Sequence, residues 1–222
     1  MKAIDDLPER PRWLPPEAEV RRLLAGSALY PFYRLKLTDY VSRLLPPRGP
    51  CSLLDVGAGD GSLGAALQAF RPETTVVGLE VALRAATRPG VRMVRFDGRR
   101  IPFPDGSFDV ALLCNVLHHA GDPLALLIEV RRVARKRIII KDHLTRGALD
   151  DAKLALLDVL GNLRFGAQVS AEYLSQDRWS KLFAAVPGAT ARTYQGLPFR
   201  AGLLEMLFGN RLEVMFSLEL TA

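Results

Sequence analysis

The feature that most constrains this chain is a short apolar run, Cys51 to Val56, that enters a glycine-rich turn, Gly57-Ala58-Gly59-Asp60-Gly61. Helical patterning follows at once, from Leu63 to Phe70. A strand, a tight turn and a helix in that order open a βαβ unit, and the chain then repeats the alternation. Thr74 to Leu79 is a second, β-branched run, Val81 to Thr87 a short helix, Val91 to Phe96 a third strand and Phe108 to Cys114 a fourth. Asp122-Pro123 marks a helix start, because aspartate can cap and proline at the first helical position lacks only an N–H that would be unpaired anyway. That helix is expected to run to about Arg135, with Arg137 to Lys141 a fifth strand. Near-continuous apolar strands separated by helices predict a mostly parallel α/β sheet covered on both faces. The remainder differs. Ala148 to Leu160 and Gln176 to Ala185 read as helices, whereas Ala189 to Tyr194 and Leu212 to Leu220 read as strands separated only by the short segment Leu203 to Phe208. Two late strands without a full crossover helix predict an antiparallel edge hairpin.

Glu17 to Leu45 is helical in pattern, with Pro31 expected to interrupt it and Pro46-Pro47-Arg48-Gly49-Pro50 closing it. The expected division is an N-terminal helical lid or cap over residues 1–48 and the α/β domain over 49–222, one structural domain overall. The 222 residues suffice to bury a core without staples, and 49% hydrophobic with 24% charged residues excludes disordered and fibrous classes. No apolar run approaches the roughly 18 residues of a membrane span. Met1 to Trp13 is charged and proline-rich without a signal-peptide core, so a cytoplasmic location is expected. Cys51 and Cys114 stand far apart with no CxxC spacing, which implies neither a disulfide framework nor a zinc site, and no metal is assigned. A net charge of +6 and a pI of about 9.6 permit an anionic partner. The two local concentrations, Arg88, Arg92, Arg95, Arg99 and Arg100, then Arg131, Arg132, Arg135, Lys136 and Arg137, read as solvated helix faces and loop edges rather than a nucleic-acid footprint.

The chemistry begins at the glycine turn. Glycine lets the backbone take positive φ and lets a ligand approach where a Cβ would intrude, and the N–H groups of the following helix start favour a polar or anionic end. Asp55 is an acid inside an apolar strand, a costly placement without a partner, and a ligand ammonium group would supply one. Glu80 ends the second strand beside the turn, where its carboxylate can accept hydrogen bonds from both hydroxyls of a ribose. The third strand leads to Asp97-Gly98, a position suited to the amino group of an adenine, and the fourth to Asn115-Val116-Leu117-His118-His119. A rival reading exists. Gly59-Asp60-Gly61-Ser62-Leu63-Gly64 matches GxGxxG with an acid about twenty residues on, as in dinucleotide-binding oxidoreductases. It sits two residues further past the strand than that fingerprint requires, and it leaves Asp55 unexplained.

Taken together, Leu53 to Gly61, Glu80, Asp97, Pro102 to Val110 and Asn115 to His119 resemble the class I S-adenosylmethionine-dependent methyltransferases of the UbiE-like small-molecule type, over about residues 50–143. The resemblance implies a Rossmann-like seven-stranded methyltransferase sheet, S-adenosyl-L-methionine as cofactor and S-adenosyl-L-homocysteine as product. It also implies that Gly57, Ala58 and Gly59 line the methionine part and that Asn115 and Val116 lie beneath it. Glu80 would take the ribose, Val81 would contact adenine, and Asp97 and Gly98 would sit at its edge. One departure stands out. The family commonly carries Pro-Gly-Gly before the fifth strand, where this chain runs Val133-Ala134-Arg135-Lys136-Arg137, a tight basic turn away from the cofactor.

Methyl transfer from a sulfonium is an in-line displacement, so alignment supplies much of the acceleration. A hydroxyl acceptor must also lose its proton, and histidine titrates in the useful range. All three histidines follow expected strand ends: His118 and His119 after the fourth, His143 after the fifth. The expectation is O-methylation of a small-molecule acceptor with His119 or His143 as general base and Asp142, with His118, assisting; the bland reading is that the histidines pack around the cofactor. Tyr30, Phe32, Tyr33, Phe165, Tyr173 and Trp179 are the candidate walls of the acceptor pocket. The alternatives are an NAD-dependent oxidoreductase and an RNA methyltransferase. Base-amino methylation usually uses an Asn/Asp-Pro-Pro-aromatic motif after strand four, which Asn115-Val116-Leu117-His118 is not. A nucleic-acid partner is therefore not favoured.

Overall fold

The computed structural model describes residues 6–12, 14–16, 18–19, 31–47, 49–83, 90–162 and 171–221. In chain order these form α1 (Pro31–Leu44), β1 (Cys51–Val56), α2 (Ser62–Phe70), β2 (Thr74–Glu80), β3 (Arg92–Arg95), β4 (Phe108–Cys114), α3 (Pro123–Val133), β5 (Ala134–His143), α4 (Ala148–Asn162), α5 (Gln176–Ala184), β6 (Ala189–Gln195), α6 (Leu203–Phe208) and β7 (Glu213–Leu220). A single 3-10 turn, Leu117–His119, follows β4, and another, Asn210–Leu212, precedes β7. The seven strands form one sheet in the order β3-β2-β1-β4-β5-β7-β6. β1 to β5 are parallel, and β7 runs antiparallel between β5 and β6. This is the mostly parallel sheet with an antiparallel edge hairpin that the patterning predicts.

Strand periodicity of two splits neighbouring apolar residues between two cores. Ile138 and Ile140 face the side covered by α3 and α5, packing with Leu54, Ala111, Leu113, Leu126, Val130, Trp179 and Phe183. Ile139 faces the other side, with Leu53, Val110, Leu112 and Met215 beneath Leu37, Val41 and Leu44 of α1 and Leu63 and Leu67 of α2. Each fully buried aliphatic side chain contributes about 1.5–3 kcal/mol, so burial on both faces fixes the strand register firmly. Residues 31–44 therefore contribute to the core of the α/β domain.

Some boundaries differ from expectation for local reasons. α3 ends at Val133 and β5 begins at Ala134, earlier than the apolar run, because Asp109 takes both Arg135 and Lys136 and lets charged residues enter the strand. The register between β4 and β5 shifts at Phe108/Val110 to accommodate this. Asp122 caps α3 as expected, accepting from the Ala125 N–H at 2.9 Å ahead of Pro123. Pro31 opens the described part of the first helical stretch; residues 20–30 lie outside the described residues. So do residues 84–89 of the short helix expected after β2, while 81–83 are non-helical. Among the described residues, no helix is long and apolar enough to cross a membrane. All five parallel strands end at the same edge, and there the functional groups gather.

Candidate active site

At the ends of β1 and β2 the glycine turn folds back on its neighbour. The Gly57 and Ala58 N–H groups both donate to the Leu79 carbonyl, at 2.8 and 3.0 Å. Gly57 has φ 72°, and a Cβ there would stand 2.5 Å from the Val116 side chain, so only glycine fits between the turn and the segment after β4. Glu80 Oε2 accepts the Gly59 N–H at 2.8 Å, and Oε1 accepts the Val81 N–H at 3.0 Å. Asp55, 3% exposed, lies one residue inside the end of β1. Burial, then the charge of Glu80, lifts its carboxyl to about 7. A buried acid held half-protonated beside a glycine turn suits a cationic ligand group. Val81 is 48% exposed and lies against Gly98, whose hypothetical Cβ would meet it at 3.3 Å. Asp97 is exposed. Its Oδ1 caps the turn by accepting the Arg100 and Arg99 N–H groups, both at 2.8 Å, which holds its carboxyl below the usual range.

Asn115, immediately after β4, is the one non-glycine with positive φ (56°) among the described residues, a conformation asparagine tolerates. Its N–H donates to the Lys141 carbonyl at 2.8 Å, its Nδ2 donates to the Tyr33 hydroxyl at 3.0 Å, and its Oδ1 accepts from Lys141 Nζ at 2.7 Å. Lys141 is wholly buried between β4 and β7. It pairs with Glu213, which also pairs with Arg200, and its ammonium lies 5.1 and 5.3 Å from the Tyr33 and Phe199 ring centres. Burial opposes the charge on Glu213, but Lys141, His143 and Arg200 outweigh it and hold the carboxyl at about 2.

The histidines gather at the ends of β4 and β5. His118 Nδ1 lies 2.5 Å from Asp142 Oδ1, and the same carboxylate accepts the Leu117 and His143 N–H groups at 3.2 and 2.8 Å. Burial disfavours the His118 imidazolium, but Asp142 and Asp158 outweigh it, and its value rises to about 9. Asp142, in turn, is held at about 2 against its burial by His118. His143 is lowered to about 4 by burial and by Lys141, so its ring stays neutral. The exposed His119 ring packs on His118 with centroids 3.9 Å apart. Asp142 thus orients His118, rather than the rings of His119 or His143 that the sequence reading nominated first.

A further wall comes from the chain after α4. The Glu172 N–H donates to the His118 carbonyl at 2.8 Å and the Thr145 N–H to the Leu174 carbonyl at 3.2 Å. This sets the Tyr173 ring 5.6 Å from that of His118, with its hydroxyl donating to Asp158 Oδ2 at 2.5 Å. Of the expected aromatic walls, Tyr33 and Tyr173 adjoin the site. Trp179 does not: it is 1% exposed, donates to the His143 carbonyl at 3.0 Å and packs with Phe183 and Phe216 in the core. Tyr30 and Phe165 lie outside the described residues, as does the side chain of Phe32. Sequence reasoning missed Asp158, Lys141, Glu213 and Arg200. Lys141 and Glu213 left a signal, being charges inside apolar strand runs that require a partner; Asp158 left none, since an acid on an amphipathic helix is ordinary. The sequence reading also assigns no metal, yet His118, His143 and Asp158 form a group able to hold one among the described residues.

The chain is similar to known methyltransferases. A family model described as a methyltransferase domain matches residues 54–139. The uncharacterized methyltransferase YcgJ of Bacillus subtilis is 33% identical over 60% of this chain and 55% of its own length. The 27-O-demethylrifamycin SV methyltransferase of Amycolatopsis mediterranei is 30% identical over 49% of this chain and 44% of its own. The chain spans about half the length of these curated relatives. Among solved structures, a SAM-dependent methyltransferase from Thermotoga maritima shares the fold, with a TM-score of 0.61 and 20% identity over 91% of this chain and 92% of that one.

Proposed function

We propose that this chain, which carries a class I S-adenosylmethionine-dependent methyltransferase domain, methylates a hydroxyl of a small-molecule acceptor. The observation that carries the reading is the rim formed at the ends of β1 and β2. Gly57 leaves room at Val116, Glu80 keeps its carboxylate at the turn through Gly59 and Val81, and Asp55 is buried beside it. These residues fit the cofactor. Asp55 would meet its ammonium group, Gly57, Ala58 and Gly59 its methionine chain, Glu80 the ribose, and Val81, Asp97 and Gly98 the adenine, with Asn115 and Val116 below. When bound, the cofactor supplies an electrophilic methyl group on sulfur.

The protein's own part is to align the acceptor oxygen and take up its proton. His119, the exposed member of the histidine group, receives that proton. His118, fixed by Asp142, supports the His119 ring, and His143 closes the floor. Tyr33 and Tyr173 flank the acceptor. Residues 1–48 serve as the cap, the part of the chain that closes the site, held to the domain by 31–44, by Leu14 packed with Leu35, Ala66 and Phe70, and by the Arg10–Asp39 ion pair. Binding of S-adenosylhomocysteine should then slow proteolysis in that part; unchanged cleavage would argue against a lid. Glutamine at His119 should lower turnover by about a hundredfold or more while the cofactor Kd moves less than about twofold. Full turnover in His119→Gln would remove it as the base.

Both alternatives lose ground on specific observations. An NAD-binding sheet of the doubly wound type carries six parallel strands, and here β7 enters antiparallel. The second basic run, read from the sequence as a solvated face rather than a nucleic-acid footprint, is largely committed within the chain. Arg131 donates to the Pro187 and Thr221 carbonyls, Arg132 binds Glu129 and Asp105, and Arg137 binds Glu219.

A further inference from the structure

Three segments far apart in sequence deliver donor atoms to one point: the 3-10 turn after β4 brings His118, the end of β5 brings His143, and α4 brings Asp158. Their ligand atoms all lie within 4.8 Å of one another. His118 Nε2 sits 3.4 Å from Asp158 Oδ2, close to the edge, about 3.3 Å, of a tetrahedron with ordinary zinc–ligand bonds. The His118 side chain is 1% exposed and Nε2 makes no hydrogen bond. His143, 7% exposed, likewise buries an Nδ1 without a hydrogen bond, 3.5 Å from Glu213 Oε2. Each of these nitrogens faces a carboxylate beyond short hydrogen-bond distance, His118 Nε2 towards Asp158 and His143 Nδ1 towards Glu213, so the His118–Asp158 gap is wide enough for a cation to bridge.

The surroundings are those of a metal-binding imidazole. Asp142 holds the far nitrogen of His118 and so aims Nε2 at Asp158, as carboxylates commonly do behind a metal-bound histidine. Tyr173 fixes the Asp158 carboxylate through its hydroxyl. Asp142 and Asp158 flank the two nitrogens of His118, so in the absence of metal the imidazolium balances them and a divalent cation would take the place of its Nε2 proton. We propose that His118, His143 and Asp158 bind one divalent transition cation, of the zinc, manganese or cobalt type. Two imidazoles and one carboxylate favour such a cation over magnesium or calcium, and three protein ligands leave a coordination position open. The site stands on its geometry alone; its use, holding the acceptor oxygen at the open position, rests on the methyltransferase reading.

The test uses the full chain, freed of metal by chelator and without cofactor or acceptor. Cobalt(II) is titrated in while its visible absorption is followed, and zinc is titrated by calorimetry. One equivalent should bind, with the intense bands of a four- or five-coordinate cobalt centre. Asp158→Asn and His143→Gln should each weaken uptake at least tenfold, and Asp142→Asn ten- to a hundredfold through loss of orientation. Folding of each variant is verified by circular dichroism. The wild-type titration is decisive by itself: a folded chain that takes up no cobalt, or that binds it equally well as Asp158→Asn, overturns the site. S-adenosylhomocysteine binding, measured in parallel, separates the two readings, since its loss with cobalt uptake intact sinks the methyltransferase reading alone.

Discussion

Around β1, β2 and β3 the candidate site groups come from one continuous stretch, Asp55 to Gly98, whereas around β4 and β5 they are collected from segments as distant as Tyr33 and Glu213. The first region is built mainly of backbone: a glycine turn, N–H groups folded onto Leu79, and a carboxylate satisfied by its own neighbours. The second is built of buried side chains whose charges must balance, with Lys141, Glu213, Arg200, Asp142 and His118 all nearly inaccessible. A backbone site should tolerate changes in most side chains and fail at a few glycines. A charge-balanced site should fail whenever one partner is removed.

The sharpest way to break this contrast is to unbalance the second region. Lys141→Met leaves Glu213 buried with Arg200 alone, and loss of one member of a buried ion pair costs about 3–5 kcal/mol. Thermal unfolding should show a large fall in Tm, partly recovered in the Lys141→Met, Glu213→Gln double variant. A stability equal to wild type would mean that the network contributes nothing. In the first region the matching change is Gly57→Ala. A methyl at φ 72° costs about 1–2 kcal/mol and meets Val116, so S-adenosylhomocysteine affinity should fall by tenfold or more with the fold retained. Undiminished binding would detach that turn from the cofactor.

Asp55 joins the two behaviours, being a buried charge in the backbone-built region. Its folded value, about 7, lies above the usual 3.8. The neutral acid therefore stabilises the free protein, and that contribution is lost as pH rises from about 3.8 through 7. An ammonium ligand needs the ionised form, so cofactor affinity should rise up to about tenfold per pH unit on approaching 7 from below, then level off. Asp55→Asn should flatten that profile, weaken binding at pH 8 and stabilise the free protein there. A profile unchanged by the substitution would exclude Asp55 as the titrating group. The smallest effect is reserved for a site that belongs to neither region. Asp122→Ala should cost about 1 kcal/mol by uncapping α3 and leave cofactor affinity and turnover unchanged.

The same contrast explains what could be read from the chain before folding. The sheet was legible because Cys51–Val56, Thr74–Glu80 and Phe108–Cys114 are apolar runs whose punctuation is local, and the edge hairpin because no crossover helix separates the last two strands. The first rim was legible because Asp55, Gly57 and Glu80 occupy fixed offsets from those strands. The partners of His118 were not. Asp142 neighbours His143 in sequence yet orients His118, because the pairing of β4 with β5 sets the end of one strand beside the other. Asp158 reaches the same ring from α4, through the way that helix lies across the ends of β4 and β5, a placement that no local pattern encodes.

The central claim is that β1 and β2 end in a nucleoside cleft, and calorimetric titration of S-adenosylhomocysteine into wild type and Glu80→Gln tests it most directly. The account predicts one saturable site in the wild type and an affinity about ten- to a hundredfold weaker in the variant, the worth of a charge-assisted hydrogen-bond pair to the ribose. Absence of binding by the folded wild type, or identical affinity in the two proteins, would contradict it.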